Sequence, residues 1–304
     1  MTGLEGNPGD GHLPGPGEAW TPIRLTRWSG EYLGGKGVEN GRLDAELLLA
    51  HVLNTSRLDL YLQFDRPLKP EELSAFKALL RRRVAREPLQ YILGRTAFRE
   101  LNLRTDPRAL IPRQETEVLV GEVLDWASRR GKPLTALDVG TGSGAIALSL
   151  LKEGRFQRAV GTDPSSEALD LARENAIDHG LAEKLDLREG PGFEPLGVGE
   201  RFDVIVSNPP YVSDACESSL QPEIRDWEPA SALFAGKDGM DVLLDLIEGV
   251  APFLEPGGLF ATEIGDGQGP DVARAMEGTG TFHLVSIRPD LAGRDRVVLG
   301  VAGA

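Results

Sequence analysis

The chain has 304 residues, 40% hydrophobic and 26% charged, enough to bury a sizeable core and to form more than one domain. Its net charge of −14 argues against a general nucleic-acid-binding surface. A single cysteine, Cys216, excludes an internal disulfide and a Cys-rich zinc site, and four scattered histidines (His12, His51, His179, His283) give no metal-ligand spacing.

No apolar run is long enough to span a membrane, and the first residues lack a basic-then-apolar signal pattern, so a soluble cytoplasmic protein is expected. Residues 1–19 are rich in Gly and Pro, as in Gly11-His12-Leu13-Pro14-Gly15-Pro16-Gly17, and read as a disordered tail. Residues 20–93 carry helical signals. Leu43, Leu47, Leu48 and Val52 recur at helical spacing, with Asp44 and Glu46 in the first turn. A further helix follows Pro70, with Leu73, Phe76, Leu80 and Val84 on one face. Its other side holds Lys77, Arg81, Arg82, Arg83 and Arg86, by default a solvated face and, on a functional reading, a docking stripe for an acidic partner. Pro88 breaks the helix. Over 94–113 the short runs Ala97-Phe98 and Leu101–Arg104, then Ala109-Leu110-Ile111, suggest a β-hairpin linker. Glu117–Ser128 is helical again.

After Pro133, strand and helix patterns alternate. Strands are expected at Leu134–Val139, Arg158–Thr162, Leu185–Arg188, Phe202–Ser207, Leu259–Ile264, His283–Ile287 and Arg296–Val301. Helices are expected at Ala145–Leu151, Ser166–His179 and Met240–Phe253. This order implies an α/β domain with a doubly wound, mainly parallel sheet. The Pro289–Gly293 connection is too short for a crossover, so the last two strands should be antiparallel.

Two stretches carry chemistry. The first is Asp138-Val139-Gly140-Thr141-Gly142-Ser143-Gly144-Ala145, a strand running into a glycine-rich turn and a helix. Glycines let a ligand approach the backbone, and the helix start offers unpaired N–H groups. Gly140, Gly142 and Ala145 also satisfy the dinucleotide pattern G-x-G-x-x-A. Asp138 would repel a pyrophosphate there, but could hold an ammonium or order the turn. Asp163, at the end of the next strand, is placed to accept from both hydroxyls of a ribose. S-adenosylmethionine has a ribose, an amino-acid head and no phosphate, and suits both carboxylates.

The second stretch is Val204-Ile205-Val206-Ser207-Asn208-Pro209-Pro210-Tyr211. Proline cannot continue a central strand, so the strand stops and presents Asn208 at its carboxyl end, the ligand edge of an open α/β sheet. The Asn208 oxygen and the Pro209 carbonyl then form a fixed pair of acceptors able to hold a planar NH2 group, with Tyr211 as an aromatic wall.

With these motifs stand Arg42-Leu43-Asp44-Ala45-Glu46-Leu47-Leu48, Pro88-Leu89-Gln90-Tyr91-Ile92-Leu93-Gly94, Leu110-Ile111-Pro112-Arg113-Gln114-Glu115-Thr116-Glu117, Glu228-Pro229, Gly236-Lys237-Asp238-Gly239-Met240 and Glu263-Ile264-Gly265. Together they resemble the protein-glutamine methyltransferases of the HemK/PrmC type, from about Arg42 to Val301. Asn-Pro-Pro-Tyr is shared with DNA and RNA amino-methyltransferases; the helical front domain joined to the Ile-Pro-Arg segment is more specific. The resemblance implies a class I S-adenosylmethionine-dependent methyltransferase fold: a seven-stranded sheet over 114–304 with an antiparallel last strand, a hairpin linker, and a helical substrate-docking domain. It implies S-adenosylmethionine as cofactor, held by Gly140, Thr141, Gly142, Ser143, Gly144, Asp163, Phe193 and Asn208, with Phe98 near the reacting methyl group. Asn208, Pro209, Pro210 and Tyr211 would carry the chemistry, with no metal. The partner implied is a peptide chain release factor, methylated on the glutamine of its Gly-Gly-Gln motif, with no nucleic acid or membrane bound directly and a monomer as the expected state. The chain departs from the family at Gln114, where proline is usual, and at Pro191-Gly192, where Asp and then Trp or Leu are common.

Overall fold

The computed structural model describes residues 19–303, so the expected tail lies, but for its last residue, outside the described residues. The chain divides into two compact units, Met1–Leu93 and Gly94–Ala304.

The first unit is helical: α1 (Pro22–Gly35), α2 (Gly41–Leu53), α3 (Arg57–Leu62), α4 (Pro70–Val84) and α5 (Leu89–Leu93). Both α1 and α4 begin on proline, whose fixed φ and missing N–H suit a first turn. The apolar faces meet around Leu33, Leu48, Leu49, Phe76 and Leu80, all essentially buried. Helices α1 and α2 approach so closely that a Cβ at Gly41 would lie 2.6 Å from the Gly30 carbonyl oxygen.

Polar groups brace this core. Glu46 accepts from Arg57 Nε (2.6 Å), Tyr61 Oη (2.7 Å) and Arg42 Nε (3.1 Å). Burial raises its carboxyl, but these donors outweigh burial and hold it below the usual range. The basic stripe on α4 is largely spent inside the unit. Arg83 is buried and donates from Nε to Asp44 at 2.7 Å, and Arg82 forms a two-pronged pair with Glu87 at 2.5 and 2.8 Å. Arg86 donates to the Gly37 carbonyl at 2.9 Å. Among the described residues Lys77 and Arg81 enter no ion pair. The five-residue docking stripe is therefore corrected: Arg83 is enclosed by its own helices.

The second unit opens with a hairpin, β1 (Arg95–Phe98) and β2 (Leu101–Arg104), then α6 (Thr116–Ser128). The hairpin is more than a linker. Phe98, Leu101 and Leu103 join the main core, while Arg95 and Arg104 both donate to Asp178 at 2.6 and 2.8 Å. The run Ala109-Leu110-Ile111 is not a strand.

There follow β3 (Leu134–Val139), α7 (Ala145–Glu153), β4 (Phe156–Asp163), α8 (Ser166–Asp178), β5 (Leu185–Glu189), β6 (Phe202–Ser207), α9 (Pro222–Arg225), α10 (Asp241–Gly249), β7 (Leu254–Glu263), α11 (Gly269–Gly278), β8 (Phe282–Pro289) and β9 (Asp295–Ala302). The seven-stranded sheet has the order β5-β4-β3-β6-β7-β9-β8. Strands β3 to β7 pair in parallel, and β9 is antiparallel to both its neighbours, as the short loop before it requires. Helix α11 is not among the expected elements. It opens on Gly269-Pro270 and buries Gly269, Val272 and Met276 on one face.

The Asp44–Arg83 pair yields a prediction. Asp44→Ala leaves the buried guanidinium without this carboxylate and should cost about 3–5 kcal/mol. Equilibrium unfolding of the full chain in urea should show a correspondingly lower midpoint. A loss below about 1 kcal/mol would rank the pair with ordinary surface bridges.

Candidate active site

The chain enters the sheet at β3, moves outward through β4 and β5, and returns to the other side of β3 at β6. Such a reversal leaves a crevice at the carboxyl ends of the two central strands. Val139 pairs with Ser207 at this edge, and the Ser207 hydroxyl donates to the Val139 carbonyl at 2.8 Å. The glycine loop and Asn208 therefore leave the sheet side by side. Above them lies a cavity of about 610 Å³, the size of a small-molecule site.

The glycine loop after β3 is held by its own neighbours. The N–H groups of Gly140 and Thr141 both donate to the Thr162 carbonyl, at 2.8 and 2.9 Å, and the Gly142 N–H donates to Asp163 Oδ2 at 2.9 Å. Asp138 is fully buried; its Oδ2 accepts from Thr141 Oγ1 at 2.7 Å and from the Ala147 N–H at 3.1 Å. Of its two sequence-based roles the structure supports ordering the turn, since Asp138 does not line the cavity. A dinucleotide pyrophosphate would find the N–H groups of Gly140, Thr141 and Gly142 already engaged.

Asp163 lines the cavity and also receives the Ser165 N–H on Oδ1 at 2.9 Å, so the turn-ordering and ligand roles coexist. Burial raises its carboxyl, and the two backbone donors oppose this without cancelling it. Each oxygen keeps lone pairs that neighbouring hydroxyls could use. Phe193 also lines the cavity, as do Val242 and Leu246 of α10, and its ring stacks on Phe253 at 5.2 Å.

Gly140, Thr141, Gly142, Ser143, Asp163, Phe193, Asn208, Pro209 and Pro210 thus share one cavity. Three expected residues do not line it. Gly144 (φ 81°) is the first-turn boundary of α7, and a Cβ there would press on Leu148 and Ala172, so it serves packing against α8. Phe98 is 1% exposed in the main core, where the hairpin's register pairs it with Leu101. Tyr211 donates its hydroxyl to Glu263 Oε1 at 3.3 Å and does not line the cavity. Burial and the Glu263 charge push that phenol up to about 12.

Other residues acquire roles that periodicity could not reveal. The segment 108–113 lines the cavity, tied down by the buried Glu228, which accepts from the Ile111 N–H at 3.2 Å and from Arg113 Nη2 at 2.5 Å. Asn208 Nδ2 lies 3.1 Å from Thr116 Oγ1, and Thr116 Oγ1 lies 2.7 Å from Glu263 Oε2. Glu263 is fully buried, and burial pushes it up to about 7. The only signal for these residues in the sequence was their presence in the Ile-Pro-Arg, Glu-Pro and Glu-Ile-Gly motifs. Among the described residues no hydrogen bond ends on Asn208 Oδ1 or on the Pro209 carbonyl, so both acceptors remain for a ligand.

A seven-stranded sheet with an antiparallel β9 and a glycine loop beside Asn-Pro-Pro-Tyr defines a class I methyltransferase. The PrmC N-terminal domain model matches residues 24–94, and the methyltransferase small domain model matches residues 116–223. The release factor glutamine methyltransferase of Geobacter sulfurreducens is 44% identical over 94% of this chain and 98% of its own length. That of Rhodopirellula baltica is 36% identical over 92% of this chain and 95% of its own length. Among solved structures, a methyltransferase from Pyrococcus furiosus shares the fold at a TM-score of 0.50 and 21% identity, covering 68% of this chain and 92% of that one. The chain belongs to the release factor glutamine methyltransferase family.

The buried Asp138 carboxyl is pushed from its usual 3.8 to about 7, chiefly by burial. The folded protein therefore holds this proton more tightly than the unfolded chain. The associated stability is present below the ordinary carboxylate range and is lost as pH rises through about 7. Asp138→Asn stays neutral and should lack this component. Urea unfolding of both proteins at pH 5 and pH 8 should show the larger drop in the wild type. Equal pH dependence would show that Asp138 ionises in the ordinary carboxylate range.

Proposed function

We propose that the cavity binds S-adenosylmethionine and that the chain, acting as a monomer in the cytoplasm, methylates the side-chain amide of a release-factor glutamine in a Gly-Gly-Gln motif. The observation that carries this reading is the pair of unsatisfied acceptors, Asn208 Oδ1 and the Pro209 carbonyl, at the switch-point cavity. A primary amide offers two N–H donors in one plane, which such a pair can hold. Flanking glycines let the substrate backbone reach a recessed site without side-chain clashes.

The cavity's donors and acceptors fit the cofactor. Asp163 would take the ribose hydroxyls, Phe193, Val242 and Leu246 would enclose the adenine, and Gly140 and Gly142 would let the cofactor lie against the backbone. The cofactor supplies an electrophilic sulfonium methyl group. The residues supply position. An amide nitrogen is a poor nucleophile because its lone pair is delocalised into the carbonyl. Bonds from its N–H groups to Asn208 and Pro209 orient the nitrogen toward the methyl, with reacting atoms about 3–3.5 Å apart. The same acceptors stabilise positive charge as it develops on nitrogen. Selectivity for one protein needs a second contact. The helical unit is the proposed docking domain, with Lys77 and Arg81 as the cations of α4 still available to a partner.

Amino groups of nucleobases would fit the same acceptors, but the net charge of −14 disfavours a nucleic-acid substrate. Labelled methyl transfer offered a release factor, DNA and RNA in parallel should mark the release factor alone, on glutamine by mass spectrometry. Label on nucleic acid instead would overturn the substrate assignment. Asn208→Ala should lose most turnover while keeping the fold and much of the cofactor affinity, and near-wild-type turnover would sink the mechanism. Asp163→Ala should weaken S-adenosylhomocysteine binding in calorimetry roughly ten-fold or more, since hydrogen bonds to a charged group are worth ~1.5–3 kcal/mol. Unchanged affinity would remove Asp163 from the ribose role.

A further inference from the structure

Asn208 can serve as an acceptor only if its amide oxygen, and not its nitrogen, is turned to the cavity. The two orientations have the same shape, so packing alone does not choose between them. The choice is made behind the site, by hydrogen bonds whose directions follow once Glu263 is ionised.

Thr116 Oγ1 sits between two groups, 2.7 Å from Glu263 Oε2 and 3.1 Å from the Asn208 amide. A hydroxyl has one proton to give. With Glu263 ionised its oxygens only accept, so the Thr116 hydroxyl gives its proton to Glu263 Oε2. The Thr116 oxygen is then left as an acceptor, and the Asn208 atom facing it must be the NH2 group. The amide oxygen consequently points away from Thr116, toward the acceptor position beside Pro209. Glu263 is itself held from the other side by the Tyr211 hydroxyl, 3.3 Å from Oε1. The chain of bonds crosses three elements: Thr116 opens α6, Asn208 follows β6 and Glu263 ends β7. Thr116 and Glu263 are buried, so water does not compete for these bonds.

We propose that Thr116 and Glu263 are positioning residues for the methyl transfer, which polarise the Asn208 amide so that its oxygen receives the substrate N–H. This inference rests on the glutamine-methylating reading of the site. It also gives functions to the Thr of the Ile-Pro-Arg segment and the Glu of Glu-Ile-Gly, and explains why Tyr211 turns inward. Without the Thr116 hydroxyl, nothing opposes rotation of the Asn208 amide, and the rotated form presents a donor to a donor.

The test is a double-mutant cycle with release factor as substrate, read as kcat, KM and S-adenosylhomocysteine affinity on variants shown to be folded by thermal unfolding. Thr116→Val removes the hydroxyl at nearly constant shape and should lower kcat roughly ten-fold or more, the effect of ~1.4 kcal/mol at the transition state, with cofactor affinity unchanged. Thr116→Ser keeps the hydroxyl and should stay within a few-fold of wild type. Because Thr116 acts through Asn208, Thr116→Val should cost nothing further in an Asn208→Ala background. Thr116→Ala serves the same cycle should the valine variant not fold. Wild-type kcat in Thr116→Val, an equal loss in Thr116→Ser, a parallel loss of cofactor affinity, or additive losses in the cycle would each overturn the positioning role alone. No transfer to release factor by the wild-type chain would overturn the reading beneath it, a distinct result.

Discussion

The parallel pairing of β3 with β6 is the constraint from which the site follows. Their register sets Val139 against Ser207, and the Ser207 hydroxyl clasps the Val139 carbonyl at the last rung. One residue later the two chains diverge, one into the glycine loop and the other into Asn208 and two prolines. The glycine loop and the Asn-Pro-Pro turn are thereby brought together by main-chain hydrogen bonds of a buried sheet, among the most rigid positions a domain offers. Sites carried on strand ends hold their geometry better than sites on free loops.

Two buried carboxylates sit beneath this edge. Asp138 and Glu263 are both fully buried, and burial pushes each up to about 7. Charges in such surroundings are costly unless donors surround them. Here the donors are components of the site: the glycine loop and α7 for Asp138, Thr116 and Tyr211 for Glu263. Each acid thus holds one hydroxyl residue of the cavity wall, Thr141 for Asp138 and Thr116 for Glu263, while staying out of the wall itself. Glu228 works similarly for the segment 108–113, joining it through Arg113 and the Ile111 N–H to the excursion after Asn-Pro-Pro-Tyr.

In the helical unit the same economy takes up part of the basic face of α4. Arg82 and Arg83 of α4, and Arg86 just beyond its end, are bound to carboxylates or carbonyls of their own unit. Charge along a helix reads as a surface in one dimension, but a guanidinium on a long stem can turn back toward the neighbouring helices.

The sequence by itself determined the α/β alternation, all seven strands of the sheet, the antiparallel β9 and the two motifs of the site, because strand runs, glycine turns and Asn-Pro-Pro are local signals. The positions of Asp163, Asn208 and Pro209 at the cavity were legible for the same reason: each stands at or just past a strand end. Only the tertiary structure decided that Gly144, Phe98 and Tyr211 leave the cavity wall, and that 108–113 enters it. Those outcomes depend on what a side chain meets across the fold, such as α8 for Gly144 and Glu263 for Tyr211. The partnership of Thr116, Asn208 and Glu263 spans 147 residues of chain from Thr116 to Glu263. No periodicity encodes such a separation; it exists because three elements end at one edge of one sheet.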